Sequence, residues 1–178
     1  MPPMTDVVII GGGPGGYEAA LVGKQLGGNV TLIERRGLGG SAVLTDVVPS
    51  KTLIATAEVM TDIRAAEELG LHAASRDGRS LAQTVEVDLG RVNDRVVELA
   101  QRQSADIAAR LRAEGIRILN GTGRLDGTES VLVTVGGAEQ RLHADIILVA
   151  TGARPRELPD AKPDGERILN WTQMYTLR

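Results

Sequence analysis

The fold is decided by residues 7–34, which read VVIIGGGPGGYEAALVGKQLGGNVTLIE. An apolar strand, a glycine-rich turn, a helix and a second apolar strand follow one another in this stretch. Gly11, Gly13 and Gly16 match the spacing G-x-G-x-x-G at the junction of the first strand and the helix. In such a turn the first glycine permits the sharp bend, the second lets a pyrophosphate approach the backbone, and the third lets helix and strand pack closely. The stretch therefore predicts a βαβ unit that binds a dinucleotide.

The start of the predicted helix, at Pro14 and Gly15, is expected to form an anion site. Its first N–H groups have no partner within the helix, and the positive end of the helix dipole lies beside them. Glu34 ends the second strand roughly 20 residues further on, where an acid hydrogen-bonds a ribose hydroxyl. Because a carboxylate there disfavours a 2′-phosphate, the predicted ligand has an AMP-like half, as in FAD or NAD.

Composition and charge exclude several classes of function. The chain has 178 residues, enough for one domain with a real core, and a net charge of −3 with scattered basic residues. This balance gives no signal for nucleic acid or a membrane surface. The sequence has no cysteine, which excludes disulfides, thiolate metal ligands and thiol nucleophiles, and no residue cluster has metal-ligand spacing. No apolar run reaches transmembrane length and no signal peptide is recognisable, so the cytoplasm is the expected location.

The apolar runs of the remaining chain predict an α/β domain. Continuous runs indicate strands of a parallel sheet at residues 5–10, 29–33, 116–119 and 145–150. Short β candidates separated by glycine turns indicate an antiparallel meander at residues 123–125, 131–135 and 140–142. The expected fold is a Rossmann-like FAD/NAD(P)-binding three-layer domain with a parallel sheet and an inserted antiparallel β-meander.

Two long helices are expected between these strands. Pro49 suits the first turn of a helix that reaches Leu69, with one stripe formed by Leu53, Ala57, Met60 and Arg64. The second helix is expected to span residues 89–113 and to stop at Gly115. Its apolar residues recur near helical spacing at Val92, Val96, Leu99, Ile107 and Leu111. Residues 35–45 and 70–80 are expected to be loops.

Three signals stand in one order along the chain: the glycine turn, Leu38-Gly39-Gly40-Ser41 leading into Pro49-Ser50-Lys51, and Ala150-Thr151-Gly152-Ala153-Arg154-Pro155. Together they resemble the FAD domain of the pyridine nucleotide–disulfide oxidoreductases, and most closely that of lipoamide dehydrogenases. The redox motif of this family reads G-G-T-C-L-N-x-G-C-I-P-S-K. Gly39, Gly40 and the final Pro-Ser-Lys match this motif, Ser41 replaces the threonine, and Leu44 stands at the asparagine position.

Both cysteine positions of that motif differ, because they carry Ala42 and Val47. Without sulfur there can be no dithiol exchange, so lipoamide or glutathione reductase activity is not expected. A cysteine-free branch of the family, which acts as NAD(P)H:quinone reductases, is similar to this pattern. The resemblance therefore implies a flavoprotein that takes electrons from NAD(P)H through FAD to a quinone.

The resemblance also implies roles for individual residues. It places the FAD pyrophosphate at the glycine turn and the adenosine ribose at Glu34. Gly40 and Ser41 would lie along the pyrophosphate and ribityl chain. Lys51 would lie near flavin N5, where a cation stabilises the negative charge that develops on reduction. The alternative for Lys51 is a solvated lysine in the first turn of a helix.

Two further positions complete the expected site. Gly123 matches a position whose backbone contacts the adenine, although a plain glycine at a strand turn is an equal alternative. Thr151 and Gly152 match the segment that closes over the cofactor, where the alternative is an ordinary turn at a strand end. The expected cofactor-binding set is Gly11, Gly13, Pro14, Gly15, Gly16, Glu34, Arg35, Gly40, Ser41, Lys51, Gly123, Thr151 and Gly152.

The resemblance implies an FAD-binding domain at residues 1–155 and, at residues 156–178, a connection toward an NAD(P)H-binding domain. Subunits of the family run to well over twice this length and form homodimers. This sequence contains no second glycine fingerprint, and the His–Glu acid/base pair of the family is also missing. The alternative to a reductase is therefore a non-catalytic fragment that binds FAD or an AMP moiety. An NAD-binding module without flavin would leave the Pro-Ser-Lys and Thr-Gly motifs unexplained.

Overall fold

The computed structural model describes residues 4–74 and 78–178. Strands in this part of the chain are β1 Asp6–Ile10, β2 Asn29–Glu34, β3 Arg117–Asn120, β4 Thr122–Leu125, β5 Ser130–Val135, β6 Ala138–His143 and β7 Ile146–Val149. A parallel sheet has the order β3-β2-β1-β7, and an antiparallel sheet has the order β4-β5-β6. The predicted parallel sheet and the inserted meander are both confirmed.

The register of the parallel sheet brings three chain segments to one edge. Ile10, the last residue of β1, lies opposite Ile33 of β2 and opposite Val149 of β7. Three features therefore lie side by side at this edge of the sheet: the turn that begins at Gly11, the carboxylate of Glu34 and the segment after β7. In open parallel sheets, ligands bind outside the carboxyl ends of the strands, where the strand order reverses direction. Here that reversal falls between β1 and β7.

The helices in the described ranges include two long ones on either side of the loop-rich middle of the chain. They are α1 Pro14–Gln25, α2 Gly40–Leu44, α3 Val47–Ala65, α4 Leu81–Thr84 and α5 Leu89–Ala113, with 3₁₀ turns at Ala66–Leu69 and Gln173–Thr176. The bounds predicted for the second long helix are confirmed. The loop predicted at residues 35–45 is wrong in its second half, because α2 forms there.

The core has two layers because successive side chains of a strand point to opposite faces of the sheet. One face packs against α1 and α5 through Ile9, Ala20, Leu21, Val30, Leu32, Leu38, Leu111 and Ile116. The other face packs against the antiparallel sheet through Val8, Ile10, Ile33, Val131, Val133 and Ala144. Helices, parallel sheet and meander are thus stacked in three layers, as the sequence predicts.

The inward face of α3 differs from the predicted stripe. Ala57 and Arg64 are exposed, and beyond the first turn of α3 the partly buried positions are Thr52, Leu53, Thr56, Met60 and Ile63. The reason is that α3 packs mainly on α5, with smaller contacts to α2 and α4. Thr52 and Thr56 can face inward because their hydroxyls donate to the carbonyls of Val48 and Thr52, at 2.8 and 3.3 Å.

The end of the chain is fastened to α5. The side chain of Asn93 is fully buried and donates to the carbonyls of Met174 and Leu177, at 3.1 and 2.8 Å. Arg178 forms an ion pair with Asp94 at 2.6 Å. The proposed boundary at residue 155 stays a prediction, and the segment beyond it folds back onto the domain.

Candidate dinucleotide-binding site

The glycine turn is packed so closely that side chains are excluded at two of its positions. A Cβ at Gly16 would lie 1.8 Å from the carbonyl oxygen of Gly11, a distance that no real Cβ contact shows. Gly11 adopts φ +108°, which favours glycine, and a Cβ there would lie 2.3 Å from the carbonyl oxygen of Ala150. These two glycines therefore let β1, α1 and the end of β7 meet.

The start of α1 opens onto free space. Among the described residues, a Cβ at Gly15 would meet no atom within 4 Å, and one at Gly13 would meet only the Cα of Gly40, at 3.9 Å. Pro14 occupies the first helical position, where its missing N–H costs nothing. The first turn contains no acidic residue, and Gly13 has no side chain to cap it. Unneutralised N–H groups and the positive end of the helix dipole therefore fit a phosphate at this point.

The carboxylate of Glu34 joins the glycine turn to the loop that follows β2. Its Oε2 accepts the N–H of Gly12 at 2.7 Å. Its Oε1 accepts the N–H groups of Arg35, Arg36 and Gly37 at 2.8, 2.6 and 3.4 Å. The side chains of both arginines are exposed. Since a carboxylate oxygen has two lone pairs, Oε2 retains one acceptor position for a ribose hydroxyl.

The loop after β2 lies directly against the glycine turn. The N–H of Gly39 donates to the carbonyl oxygen of Gly12 at 2.8 Å. A Cβ at Gly40 would lie 2.8 Å from the Cα of Gly13, and Gly40 adopts φ +57°. Gly40 thus lies beside the turn, while its contact with a pyrophosphate stays a prediction. Gly12 and Gly39 were missed by the sequence reasoning, although the repeated glycines of this loop were a visible signal of close backbone approach.

The segment after β7 forms the third side of the site. A Cβ at Gly11 would lie 3.0 Å from the amide nitrogen of Thr151, so the backbone of Thr151 lies beside the turn. The preceding Ala150 donates its N–H to the carbonyl of Ile10 at 2.8 Å. Thr151 and Gly152 are exposed, and Gly152 adopts φ +69°. These two residues are therefore positioned at the site, while their contact with a cofactor stays a prediction.

Gly123 lies in β4, beneath the ends of the central strands. A Cβ there would lie 3.1 Å from Cδ1 of Ile33 and 3.3 Å from Cγ2 of Ile10. This packing is itself a reason for glycine at the position. The neighbouring Gly121 donates its N–H to the carbonyl of Glu34 at 2.9 Å. The start of β4 is therefore held next to the site, and the adenine contact of Gly123 stays a prediction.

Ser41 lies on α2 and Lys51 lies on α3, the two helices that follow the loop after β2. Ser41 is exposed in α2, and Lys51 is exposed in α3, in its second turn. Ala42 is half-buried in α2, and Val47, 44% exposed, is the first residue of α3. The two positions that carry cysteine in the resembling motif therefore lie on successive helices. The flavin-side roles of Ser41 and Lys51 stay predictions.

The glycine turn lies at an open surface. Two cavities occur elsewhere, one of about 220 Å³ between α1 and α5 and one of about 360 Å³ between α3, α5 and the segment 85–88. Across residues 4–74 and 78–178, no group of three or more His, Cys, Asp or Glu side chains could hold a metal ion. In the same ranges, no helix is both long enough and apolar enough to cross a membrane.

A parallel sheet, a glycine turn at the point where strand order reverses, and an acid at the end of the second strand define a dinucleotide-binding α/β domain of the Rossmann type. The particular family follows from comparison with known proteins. The family model described as pyridine nucleotide-disulphide oxidoreductase matches residues 5–178, so the chain belongs to this family.

Known relatives agree with this assignment. The chain is 44% identical to an NAD(P)H dehydrogenase (quinone) of Mycobacterium tuberculosis, over 98% of this chain and 36% of that protein. It is 37% identical to a dihydrolipoyl dehydrogenase of Zymomonas mobilis, over 97% and 35% of the two chains. The crystal structure of LpdA from Mycobacterium tuberculosis matches with a TM-score of 0.85 at 43% identity, covering 98% of this chain and 37% of that one.

The chain thus spans little more than a third of the length of these relatives. Homologues in the family depend on FAD and take NAD(P)H as the reductant. The family, the fold class and FAD as the cofactor, all predicted from the sequence, are confirmed. NAD(P)H as the reductant of a full-length protein stays a prediction.

Proposed function

We propose that this chain is the FAD-binding module of an NAD(P)H-dependent flavoprotein reductase that passes electrons to a quinone. The observation that carries the proposal is the meeting of three segments at one sheet edge. The open start of α1, the carboxylate of Glu34 and the backbone of Thr151 lie around the same turn. Such an arrangement suits a pyrophosphate joined to an adenosine.

The residues of the module bind and orient the cofactor. The first turn of α1 would hold the pyrophosphate, and the free acceptor position on Oε2 of Glu34 would receive a ribose hydroxyl. Lys51 would place a positive charge near the flavin ring. When bound, FAD supplies the ability to accept a hydride from NAD(P)H and to release two electrons to an acceptor. The balanced reaction converts NAD(P)H, a proton and a quinone into NAD(P)⁺ and a hydroquinone.

A quinone is favoured over a disulfide as the electron acceptor. The sequence contains no cysteine, so the chain offers no dithiol to relay electrons to a disulfide. A relative of 44% identity carries the name NAD(P)H dehydrogenase (quinone). We further propose a homodimer for a full-length protein of this kind and a cytoplasmic location, both on the sequence grounds given above.

The alternative function is FAD binding without turnover. The chain spans only 36% and 35% of the length of the two relatives, so turnover by a full-length protein and cofactor binding by this chain are separate questions. The two candidates share the cofactor and differ in whether NAD(P)H bleaches the bound flavin.

The first experiment is the visible absorption spectrum of the purified chain, mixed with FAD and then desalted. A retained flavin band is expected, and FMN, which lacks the AMP half, should be removed by the same desalting. Retention of both flavins, or of neither, would contradict the proposed site. Titration with NAD⁺ in place of FAD tests the other possibility, that the chain is an NAD-binding module that binds no flavin. Anaerobic addition of NADH to an FAD-loaded full-length protein then separates turnover from binding alone.

A further inference from the structure

The carboxylate of Glu34 is already engaged by the protein before any ligand is considered. Four backbone N–H groups point at it, from Gly12 on one oxygen and from Arg35, Arg36 and Gly37 on the other. Three of these bonds are 2.6–2.8 Å long, the range of charge-assisted hydrogen bonds. These bonds fix the carboxylate to the glycine turn and to the loop after β2 whether or not a ribose is bound.

The peptide groups of Gly12 are fixed on both sides. Its N–H donates to Glu34 at 2.7 Å, and its carbonyl oxygen accepts the N–H of Gly39 at 2.8 Å. In a planar trans peptide, the carbonyl of one residue and the N–H of the next point in opposite directions. Because the carbonyl of Gly12 points to Gly39, the N–H of Gly13 is turned away from that loop. This orientation presents the Gly13 N–H on the side where a phosphate would approach.

We propose that Glu34 is a positioning residue for the phosphate-binding turn, in addition to the ribose contact. Its Oε2 holds the peptide between Gly11 and Gly12, and the N–H of Gly39 holds the next peptide, between Gly12 and Gly13. Glu34 thus fixes the segment that leads into the Gly13 N–H, so the turn is preorganised without a ligand. The inference rests on the proposed function only for the identity of the nucleotide. Glu34 thereby strengthens the binding of phosphate groups that it does not contact, whichever nucleotide carries them.

The variant Glu34→Gln separates the two roles. Glutamine has the same shape but only one oxygen, and the three N–H groups of the loop after β2 will keep that oxygen on their side. The side-chain NH₂ then faces the N–H of Gly12, so two donors oppose each other and the tie to the turn is lost. Both glutamate and glutamine can hydrogen-bond a ribose hydroxyl.

The test uses inorganic pyrophosphate, which has no ribose, titrated into the ligand-free chain and followed by NMR. Loss of one charge-assisted hydrogen bond is expected to weaken pyrophosphate binding about tenfold in Glu34→Gln. Unchanged pyrophosphate binding together with weakened FAD binding would overturn the proposal, because Glu34 would then be a ribose ligand alone. Pyrophosphate binding that weakens as expected in a chain that never retains FAD would support this proposal and contradict the proposed function.

Amide hydrogen exchange of the ligand-free chain is a second, independent measurement. In the native chain the Gly12 N–H should be protected, and in Glu34→Gln its exchange should rise at least about tenfold. The Arg36 N–H should remain protected, since glutamine keeps an acceptor there, and a general loss of stability would instead expose both. Free exchange of Gly12 in the native chain would overturn the proposal even if the variant does not fold. Glu139→Gln, at an exposed position in β6, is the matched control for removing one negative charge.

Discussion

The side-chain amide of Asn93 donates a 2.8 Å hydrogen bond to the carbonyl of Leu177, 84 residues further along the chain. A second bond from the same nitrogen reaches the carbonyl of Met174 at 3.1 Å. The side chain of Asn93 is fully buried in α5, whereas its acceptors lie in the exposed Met174 and the half-buried Leu177, so these bonds are partly shielded from water. They fasten the segment around Met174 and Leu177 to α5.

Replacing Asn93 by alanine is expected to lower the free energy of unfolding by about 1–2 kcal/mol, because two partly buried carbonyls lose their donor. Urea unfolding measures the loss. Chymotrypsin cleavage after Trp171 and Tyr175 should accelerate as the terminal segment detaches. Asp94→Asn is the control, since its ion pair with Arg178 is exposed and should contribute less than about 1 kcal/mol. Equal effects of the two changes would show that Asn93 has no special role.

Gly16→Ala should disrupt the glycine turn. The new Cβ would lie 1.8 Å from the carbonyl oxygen of Gly11, and backbone cannot move aside as a flexible side chain can. Overpacking of this kind costs about 1–3 kcal/mol or more. Thermal unfolding should show the loss of stability, and FAD should no longer survive desalting.

Gly15→Ala is the matched change one position earlier. Its Cβ meets no protein atom within 4 Å, and alanine favours a helix over glycine. The free energy of unfolding should stay equal or rise by about 0.4–1 kcal/mol. FAD binding should nevertheless weaken, because the methyl group enters the space assigned to the pyrophosphate. Full FAD affinity in this variant would argue against a phosphate at the start of α1.

Lys51→Gln should leave stability within about 0.5 kcal/mol of the native chain, since the side chain is exposed. If the ammonium lies near the flavin, its loss should make the reduction potential of bound FAD more negative by about 30 mV, equal to about 1.4 kcal/mol for a two-electron couple. Spectroscopic titration of the FAD-loaded chain with a reference dye measures this shift. An unchanged reduction potential would show that Lys51 is a solvated surface lysine without influence on the flavin.

Tyr175 links stability to alkaline pH. Burial raises the pKa of its hydroxyl above 10.0, and the charge of Asp46 raises it further. A group with a raised pKa contributes stability that is fully present below the unfolded-state value and is lost as pH rises through the folded-state value. Urea unfolding between about pH 9 and 11 should therefore show a decline that is smaller in Tyr175→Phe. Parallel curves for the two proteins would contradict the contribution of Tyr175.

Strong local signals were sufficient for much of the fold. The strand that ends at Ile10, the glycine turn and the helix over residues 89–113 were all predicted, because hydrophobic periodicity and glycine spacing are properties of short stretches. The meander was predicted for the same reason, from its two glycine dipeptides. The inward face of α3 was not, since it depends on contact with α5, a helix that begins 24 residues after α3 ends.

The candidate site divides in the same way. The sequence by itself determined which residue types stand at the predicted phosphate and ribose positions: glycines at Gly13 and Gly15, and a carboxylate at Glu34. Only the tertiary structure decided that Glu34 also holds the N–H of Gly12, and that Gly39 and Thr151 lie against the same turn. The physical reason is that spacing along the chain encodes local backbone geometry. Hydrogen bonds between segments far apart in sequence exist only once the parallel sheet has brought the strand ends together.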